Sequence, residues 1–197
     1  RLVEEGETCR LLEKPKEKYT RELLNVRSIR QEKAITDKME VILNIENVTA
    51  TYTGQENVLE DIDLTVRKGR TVALVGESGS GKSTLAKVVT GLLPPTHGSI
   101  SFLGKELSPE LKNREKEDLR RMQMIYQMPD TALNPRQTVR KVIGRPLKFY
   151  FGINGREADE KIRELLTKIE LDPDNYIDRL TTELSGGEKQ RICIARA

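Results

Sequence analysis

Nine residues, 76–84, constrain this chain more than any other stretch. They read Gly-Glu-Ser-Gly-Ser-Gly-Lys-Ser-Thr, so that a glycine-rich segment runs directly into a lysine and two hydroxyl residues. The apolar run before them, 71–75, has the length and β-branched content of a buried strand. After them, apolar residues such as Leu85 and Val88 fall on one face of a helical pattern over 82–93. The sequence therefore predicts a strand, a glycine loop and a helix in direct succession.

This succession is suited to holding phosphate, and the nine residues match the P-loop pattern G-x-x-x-x-G-K-[ST]. Glycines permit backbone conformations closed to other residues, so N–H groups can turn inward beside the positive end of the following helix. Lys82 is predicted to meet the β- and γ-phosphates, Ser83 to ligate Mg²⁺ and Thr84 to bond the α-phosphate. The other predicted nucleotide contacts in the loop are Gly76, Glu77, Ser78, Gly79, Ser80 and Gly81. A chance glycine loop is the alternative, and its strand-and-helix context disfavours it.

Length and composition narrow the classes of protein that the chain can belong to. Its 197 residues can hold one substantial domain and part of another, and no apolar run approaches the ~20 residues of a membrane helix. The net charge of +3 is small and its cations are interleaved with acids, which argues against a nucleic-acid partner. Cys9 and Cys193 lie too far apart in sequence to indicate a disulfide framework, which favours a reducing cytoplasm.

A second motif at 184–190 reads Leu-Ser-Gly-Gly-Glu-Lys-Gln and predicts a helix N-terminus. Ser185 is a natural N-cap, Glu188 suits the first helical turn, and two glycines let a ligand approach the backbone. Taken alone, the motif indicates a second anion site at a helix start, and an ordinary serine-capped helix is the alternative.

With both motifs present in this order, the sequence resembles the ABC ATPase family. Residues 76–84 are similar to its Walker A loop and 184–190 to its signature motif. The resemblance implies a head-to-tail pair of ATPase domains, with each ATP held between the Walker A loop of one and the signature of the other. The signature residues implied to contact the partner's ATP are Ser185, Gly186, Gly187 and Glu188.

Two further positions match the family. Tyr52 resembles the A-loop aromatic residue that stacks on adenine, with a half-buried strand tyrosine as the alternative. Gln127 resembles the Q-loop glutamine that reaches Mg²⁺ and the attacking water, with a polar loop residue as the alternative. Lys82 and Gln127 are thus the candidate catalytic residues, and Ser83 and Gln127 the candidate metal ligands. His97, which precedes the signature, is interpreted as a surface residue.

The resemblance implies an α/β P-loop NTPase fold, with a RecA-like core, an antiparallel β subdomain and an inserted helical subdomain. Besides 71–75, strands are expected at 41–53, 58–66, 99–103 and 122–126, and a long helix at 157–171. The predicted parts are the tail of a preceding ABC ATPase at 1–26, a linker at 27–40, the α/β core at 41–127, the helical subdomain at 128–184 and the signature helix at 185–197. A tandem two-ATPase protein is therefore expected, and an N-terminal extension of a single ATPase is the alternative.

The branch of the family is suggested by 128–139, which is similar to the stretch after the Q-loop in oligopeptide, dipeptide and nickel importers. Its Leu-Asn-Pro-Arg core matches, although Met128 stands where those proteins usually carry an acidic residue. The resemblance implies an ATPase that drives import of peptides or similar small solutes. It would sit at the cytoplasmic face of the membrane, docked on permease subunits that work with a substrate-binding protein. The alternatives are a non-transport ABC ATPase that acts on a protein or nucleic-acid complex, and a binding module without turnover.

The expected reaction is phosphoryl transfer from ATP to water with the help of Mg²⁺. In the family, the Walker B aspartate, the catalytic glutamate and the switch histidine follow the signature, and they are expected beyond residue 197. The domain is therefore predicted to be truncated at its C-terminus. The isolated chain is expected to bind Mg-ATP weakly or to misfold, and not to hydrolyse ATP.

Overall fold

The structure is a computed structural model that describes residues 16–18, 21 and 39–197. Two units are distinguished, Arg1–Met39 and Glu40–Ala197, and nearly all of the described residues belong to the second. The predicted tail of a preceding ABC ATPase at 1–26 lies outside the described residues except at 16–18 and 21. The predicted linker at 27–40 is described only at its last two residues.

The first part of the second unit is an antiparallel sheet with the strand order β2-β1-β3-β4. Its strands are β1 Val41–Thr51, β2 Asn57–Arg67, β3 His97–Phe102 and β4 Lys105–Glu106. In the central strand, Ile45 lies opposite Leu64 on one side and Ile100 on the other. The expected strands at 41–53, 58–66 and 99–103 are therefore present with shifted ends, and His97 is an exposed residue at the start of β3.

Helix α1, Lys82–Val89, packs on this sheet through one apolar face. Leu85 and Val88 are buried in a cluster with sheet residues that include Ile45 and Ile100. The sequence predicts a helix over 82–93, and the predicted C-terminal end of that helix is wrong. It stops after Val89 because Gly91 takes a left-handed backbone conformation with φ +79° that turns the chain away.

Two predicted strands are not formed. Residues 71–75 are irregular and exposed, with Val75 93% exposed, and residues 122–126 are irregular as well. A strand persists only when its N–H and C=O groups pair with a neighbouring strand. Within 39–197, the sheet consists of β1 to β4, and none of these strands pairs by hydrogen bonds with either segment. An apolar, β-branched pattern shows that a segment favours the extended conformation, but it cannot supply the neighbouring strand with which the segment must pair.

The second part of this unit is helical. Its helices are α2 Lys116–Arg121, α3 Val139–Pro146, α4 Gly155–Lys168, α5 Pro173–Tyr176 and α6 Gly186–Arg196, with a π-helical turn at Leu147–Phe151 and 3₁₀ turns at Leu111–Asn113, Pro129–Thr131 and Thr181–Glu183. The expected helix over 157–171 is thus α4, shifted toward the N-terminus. None of the helices in the described residues is both long and apolar enough to cross a bilayer.

A separate hydrophobic cluster holds α3, α4 and α6 together. Ala158, Ile162 and Leu166 are buried along one face of α4, at the four-residue spacing of a helix. Ile162 and Leu166 share this cluster with Ile192 and Cys193 of α6, which are both almost completely buried. The signature helix is therefore anchored in the helical part, whereas the P-loop helix is anchored on the sheet.

Candidate nucleotide-binding site

The P-loop is shaped by glycines at specific positions. Gly79 and Gly81 have φ values of +87° and +88°, in the left-handed region that side chains disfavour. Gly81 also lies against β2, where a Cβ atom would stand 2.9 Å from Leu59 Cδ2 and 3.0 Å from the Val58 carbonyl oxygen. At Gly76 the requirement is space rather than φ, because a Cβ atom there would meet Ser80 Oγ at 2.9 Å. The loop is therefore folded back on itself and pressed on the sheet.

Helix α1 begins immediately after this loop, and the backbone N–H groups of its first turn have no side-chain cap. Its N-cap is Gly81, no side chain caps the first turn, and that turn contains no acidic residue. The hydroxyl residue Ser83 is exposed there. The unpaired N–H groups and the helix dipole make such an end favourable for an anion. This end of α1 fits a phosphate group.

Lys82 brings a positive charge to the same place. Its Nζ donates to the carbonyl oxygens of Gly76 at 2.9 Å and Glu77 at 2.5 Å, and to Ser80 Oγ at 3.0 Å. These three bonds hold the ammonium group over the loop rather than in open solvent. The side chains of Glu77 and Ser78 are exposed on the loop. Lysine at this point adds to the positive potential of the helix end.

Tyr52 is brought to the P-loop helix from the end of β1. Its hydroxyl lies 3.3 Å from Thr84 Oγ1 and accepts a hydrogen bond of 3.2 Å from Lys87 Nζ. These bonds, that to Thr84 first, lower the pKa of the Tyr52 phenol. The residue as a whole remains 54% exposed, so it is accessible to a ligand. The structure thus places the predicted adenine-stacking residue beside the predicted phosphate loop.

Lys87 is a residue of this site that the sequence reasoning missed. The available signal was its spacing, since residues three apart on a helix share a face and Lys87 follows Thr84 by three. That spacing points to the site only when Tyr52 is placed on the same face of the helix, and this placement is a tertiary contact.

The signature motif forms a helix start of a different kind. The Glu188 N–H donates to Ser185 Oγ at 3.4 Å, and the Ser185 N–H donates to Glu188 Oε2 at 2.6 Å. This reciprocal pair is a capping box, which confirms Ser185 as the N-cap of α6. Gly186 and Gly187 follow in the exposed first turn, where a Cβ atom on either would meet nothing within 4 Å. Their backbone is therefore open to an approaching group.

Glu188 is held in place by a further contact. The Tyr176 hydroxyl donates to Glu188 Oε1 at 2.5 Å, while Oε2 accepts from Ser185. The hydroxyl of Tyr176, followed by the Ser185 N–H, lowers the pKa of the Glu188 carboxyl to about 2. Both oxygens are thus hydrogen-bonded within the chain, and the carboxylate orders the start of α6. A direct contact of Glu188 with nucleotide stays a prediction.

Gln127 is exposed and lies in the irregular segment between α2 and the 3₁₀ turn at Pro129–Thr131. The residue before it is tied to the signature helix, because Gln190 Nε2 donates to the Tyr126 carbonyl oxygen at 3.4 Å. Lys189 also bonds Asp130 Oδ1 at 2.6 Å. Tyr126 and Asp130 are thus both bonded to α6, and the role of Gln127 as the Q-loop glutamine stays a prediction. Within 39–197 and the four other described residues, no cluster of three or more His, Cys, Asp or Glu side chains is arranged to hold a metal ion.

Comparison with known proteins identifies the family. Residues 59–197 match the model for the ABC transporter family, a span that contains both the glycine loop and the signature motif. The chain belongs to the ABC transporter family. The family that the two motifs indicated is therefore confirmed.

Relatives of this ABC transporter chain include proteins described as nickel import ATP-binding protein NikE. The protein from Brucella suis biovar 1 (strain 1330) is 39% identical over 164 residues, covering 79% of this chain and 61% of the relative. The protein from Escherichia coli (strain K12) is 40% identical over 140 residues, covering 71% of this chain and 52% of the relative. The chain thus spans between half and two thirds of the length of these relatives.

Solved structures agree with this assignment. One described as the ATP-binding subunit of an ABC transporter is 29% identical, with a TM-score of 0.65 over 79% of this chain and 61% of that one. A dimeric structure of the cassette MJ0796 in a post-hydrolysis state, bound to ADP and Pi, is 28% identical with the same TM-score over 79% of this chain and 68% of that one. The predicted α/β P-loop NTPase fold is confirmed.

Proposed function

We propose that this chain is the nucleotide-binding part of an importer ATPase, and that it binds Mg-ATP through residues 76–84. The observation that carries the proposal is the uncapped start of α1 beside the ammonium group of Lys82. These two features place positive potential at one point of a loop whose backbone is turned by Gly79 and Gly81. A triphosphate is the ligand that such a site suits.

Within this site, each residue has a distinct proposed task. Lys82 exchanges its bonds to loop oxygens for bonds to the β- and γ-phosphates, and Thr84 donates to the α-phosphate. When bound, Mg²⁺ neutralises charge that develops on the phosphates, with Ser83 and Gln127 as its proposed ligands. The ring of Tyr52 provides a surface on which adenine can stack.

The second half of the proposed reaction site belongs to the signature motif. We assign Ser185, Gly186 and Gly187 to an ATP held by a second ABC ATPase domain, in the same chain or another. The open backbone of the first turn of α6 supports this assignment. So does the dimeric arrangement named for MJ0796, to which this fold is similar. ATP hydrolysis is proposed for this closed pair.

For the transported cargo we propose a nickel species or a small peptide. The names of the relatives, nickel import ATP-binding proteins, support nickel. The Leu-Asn-Pro-Arg stretch at 133–136 is similar to the corresponding stretch of both nickel and peptide importers, so it does not distinguish the two. The proposed partners are permease subunits at the cytoplasmic face of the membrane, served by a substrate-binding protein. We also propose that the full protein is a tandem of two ATPases. Sequencing of the gene upstream of residue 1 tests this, and the absence of an ATPase domain there would refute the tandem arrangement.

The nucleotide site is tested by titrating the 197-residue chain with a fluorescent ATP analogue in the presence of Mg²⁺. Lys82→Ala is expected to weaken binding about ten-fold or more, since charged hydrogen bonds to phosphate contribute ~1.5–3 kcal/mol each. Lys112→Ala, which removes an exposed lysine paired with Glu110, serves as the control and should bind as the wild type does. Circular dichroism verifies folding, and phosphate release is followed in the same samples to measure turnover. Equal binding by wild type and Lys82→Ala would refute the site.

The cargo is tested in cells of the source organism. Disrupting the gene is expected to lower uptake of radioactive nickel if nickel is carried, and uptake of a labelled tripeptide if peptides are carried. A loss confined to one compound identifies the class of cargo. Unchanged uptake of both would refute the import function while leaving the nucleotide site to be judged by its own titration.

A further inference from the structure

The hydroxyl of Tyr52 is held by two residues of the P-loop helix. Thr84 Oγ1 lies 3.3 Å from it and Lys87 Nζ lies 3.2 Å from it. Thr84 and Lys87 are one helical turn apart on α1, so they present their side chains to the same side of the helix. Among the described residues, these two hydrogen bonds are the ones that fix the direction of the Tyr52 side chain.

The position of the lysine relative to the ring leaves the aromatic faces open. Lys87 Nζ is 5.3 Å from the ring centroid but only 3.2 Å from the hydroxyl oxygen. Taken together, the two distances place the ammonium group beyond the hydroxyl rather than above the centre of the ring. Lys87 therefore acts on Tyr52 mainly through the hydroxyl, and the half-exposed ring can still stack on a planar group.

The backbone around Tyr52 does not by itself determine where the ring points. Tyr52 follows the end of β1 and begins the connection to β2. The N–H groups of Thr53 and Gly54 both bond to Thr51 Oγ1, which orders the turn but leaves the Tyr52 side chain free to rotate about its own bonds. The ring is held in place by contacts with α1.

We infer that Lys87 is a positioning residue for nucleotide selection, which holds the Tyr52 ring over the P-loop helix so that the site favours an adenine nucleotide over a bare phosphate chain. The inference rests on the proposed ATP site. Lys87 would act through the Tyr52 hydroxyl, whereas Lys82 would act on the phosphates themselves. A lowered pKa of the Tyr52 phenol is consistent with the same two hydrogen bonds.

A second role for Lys87 is chemically reasonable and must be separated from the first. As a cation near the loop, it could attract phosphate by charge alone. The two roles differ in what they recognise, because positioning of the ring affects only ligands that carry a base. Inorganic tripolyphosphate carries the same kind of phosphate chain without a base, so comparing it with ATP distinguishes them.

The test is isothermal titration of the 197-residue chain with Mg-ATP and with Mg-tripolyphosphate. Lys87→Met is expected to weaken ATP binding about five-fold, the effect of one hydrogen bond, and to leave tripolyphosphate binding unchanged. Tyr52→Phe, which keeps the ring and removes the hydroxyl, should give a loss of about the same size. Lys87→Arg should bind ATP about as tightly as the wild type does. Tyr52→Ala should weaken ATP binding more than Tyr52→Phe does, because stacking itself is removed.

Coupling provides a further readout that a general loss of structure would not produce. If Lys87 works through the Tyr52 hydroxyl, the double variant Lys87→Met with Tyr52→Phe should bind ATP no more weakly than either single variant. Lys116→Met is a matched control, since Lys116 Nζ lies 5.2 Å from the centroid of another exposed ring, that of Phe149. It should leave the binding of both ligands unchanged. Retained tripolyphosphate binding in each variant reports that the loop is still folded.

Several outcomes would overturn the inference. An equal loss of ATP and tripolyphosphate in Lys87→Met would show that the lysine acts by charge. An unchanged ATP affinity in Lys87→Met, or in Tyr52→Ala, would show that the ring is not positioned by this lysine or does not meet the base. These outcomes leave the proposed ATP site standing, whereas failure of the folded wild-type chain to bind either ligand would refute the ATP site itself.

Discussion

Replacing Gly81 by alanine tests why the P-loop requires glycine where it meets the helix. The residue has φ +88°, and an alanine there would take on the strain of a left-handed conformation, about 1–2 kcal/mol. Gly79, two residues earlier, has nearly the same angle, φ +87°. Backbone strain alone therefore predicts the same loss of stability at both positions.

The surroundings of the two glycines differ. A Cβ atom at Gly79 would meet nothing within 4 Å, whereas at Gly81 it would stand 2.9 Å from Leu59 Cδ2 and 3.0 Å from the Val58 carbonyl oxygen. Leu59 is only 5% exposed, so it cannot move aside without disturbing the core. Overpacking of this kind costs about 1–3 kcal/mol. We therefore expect Gly79→Ala to lower the free energy of unfolding by about 1–2 kcal/mol and Gly81→Ala by about 2–5 kcal/mol.

The assay is urea unfolding of the 197-residue chain, followed by far-UV circular dichroism. Gly104→Ala is a control outside the loop, because φ there is +77° and a Cβ atom would also meet nothing within 4 Å. In the Gly81→Ala background, Leu59→Val removes part of the clash, so the double variant should lose less stability than the sum of the single losses. A loss at Gly81 no larger than that at Gly79 would refute the packing argument, whatever its effect on nucleotide binding.

The remaining predictions concern groups outside the glycine loop. The pKa of Glu188, lowered from 4.5 to about 2 first by the Tyr176 hydroxyl, means that the carboxylate stabilises the fold above pH 4.5, and that this stabilisation is lost as the pH falls toward 2. The difference in unfolding free energy between wild type and Glu188→Gln should therefore shrink on acidification. Arg114→Met should lower the free energy of unfolding by about 2 kcal/mol, because it removes the buried donor that bonds the Val89 carbonyl at the end of α1. Cys193, buried in the helical cluster with its pKa raised by burial, should react with a thiol reagent only when the chain unfolds.

Each of these three predictions has a control or an outcome that would contradict it. A constant difference between wild type and Glu188→Gln across the acid range would contradict the pH prediction. Arg114→Lys should recover part of the stability through one hydrogen bond, and an unaffected Arg114→Met variant would show that the guanidinium is dispensable. The alkylation experiment is done in a Cys9→Ser background, and rapid labelling of the native chain would contradict the burial of Cys193.

Several features of the site could be predicted from the sequence because their causes are local. Ser185 and Glu188 cap each other over three residues, so the start of α6 is contained within its own motif. The same is true of the glycines at 79 and 81, whose backbone conformations are specific to residues without a Cβ atom. The order of Walker A and signature was also sufficient to indicate the family, which the comparison confirmed.

Other features were decided only by contacts between distant segments. The apolar runs at 71–75 and 122–126 indicate strands, yet a strand exists only beside a partner, and the described residues pair neither of them. Likewise, nothing in the local sequence shows that Tyr52 lies on the face of α1 formed by Thr84 and Lys87, residues 32 and 35 positions away. Loop and cap geometry follow from the residues themselves, since their hydrogen bonds close over a few positions. Pairing and side-chain placement across the fold depend on which surfaces meet, and that is a property of the tertiary structure.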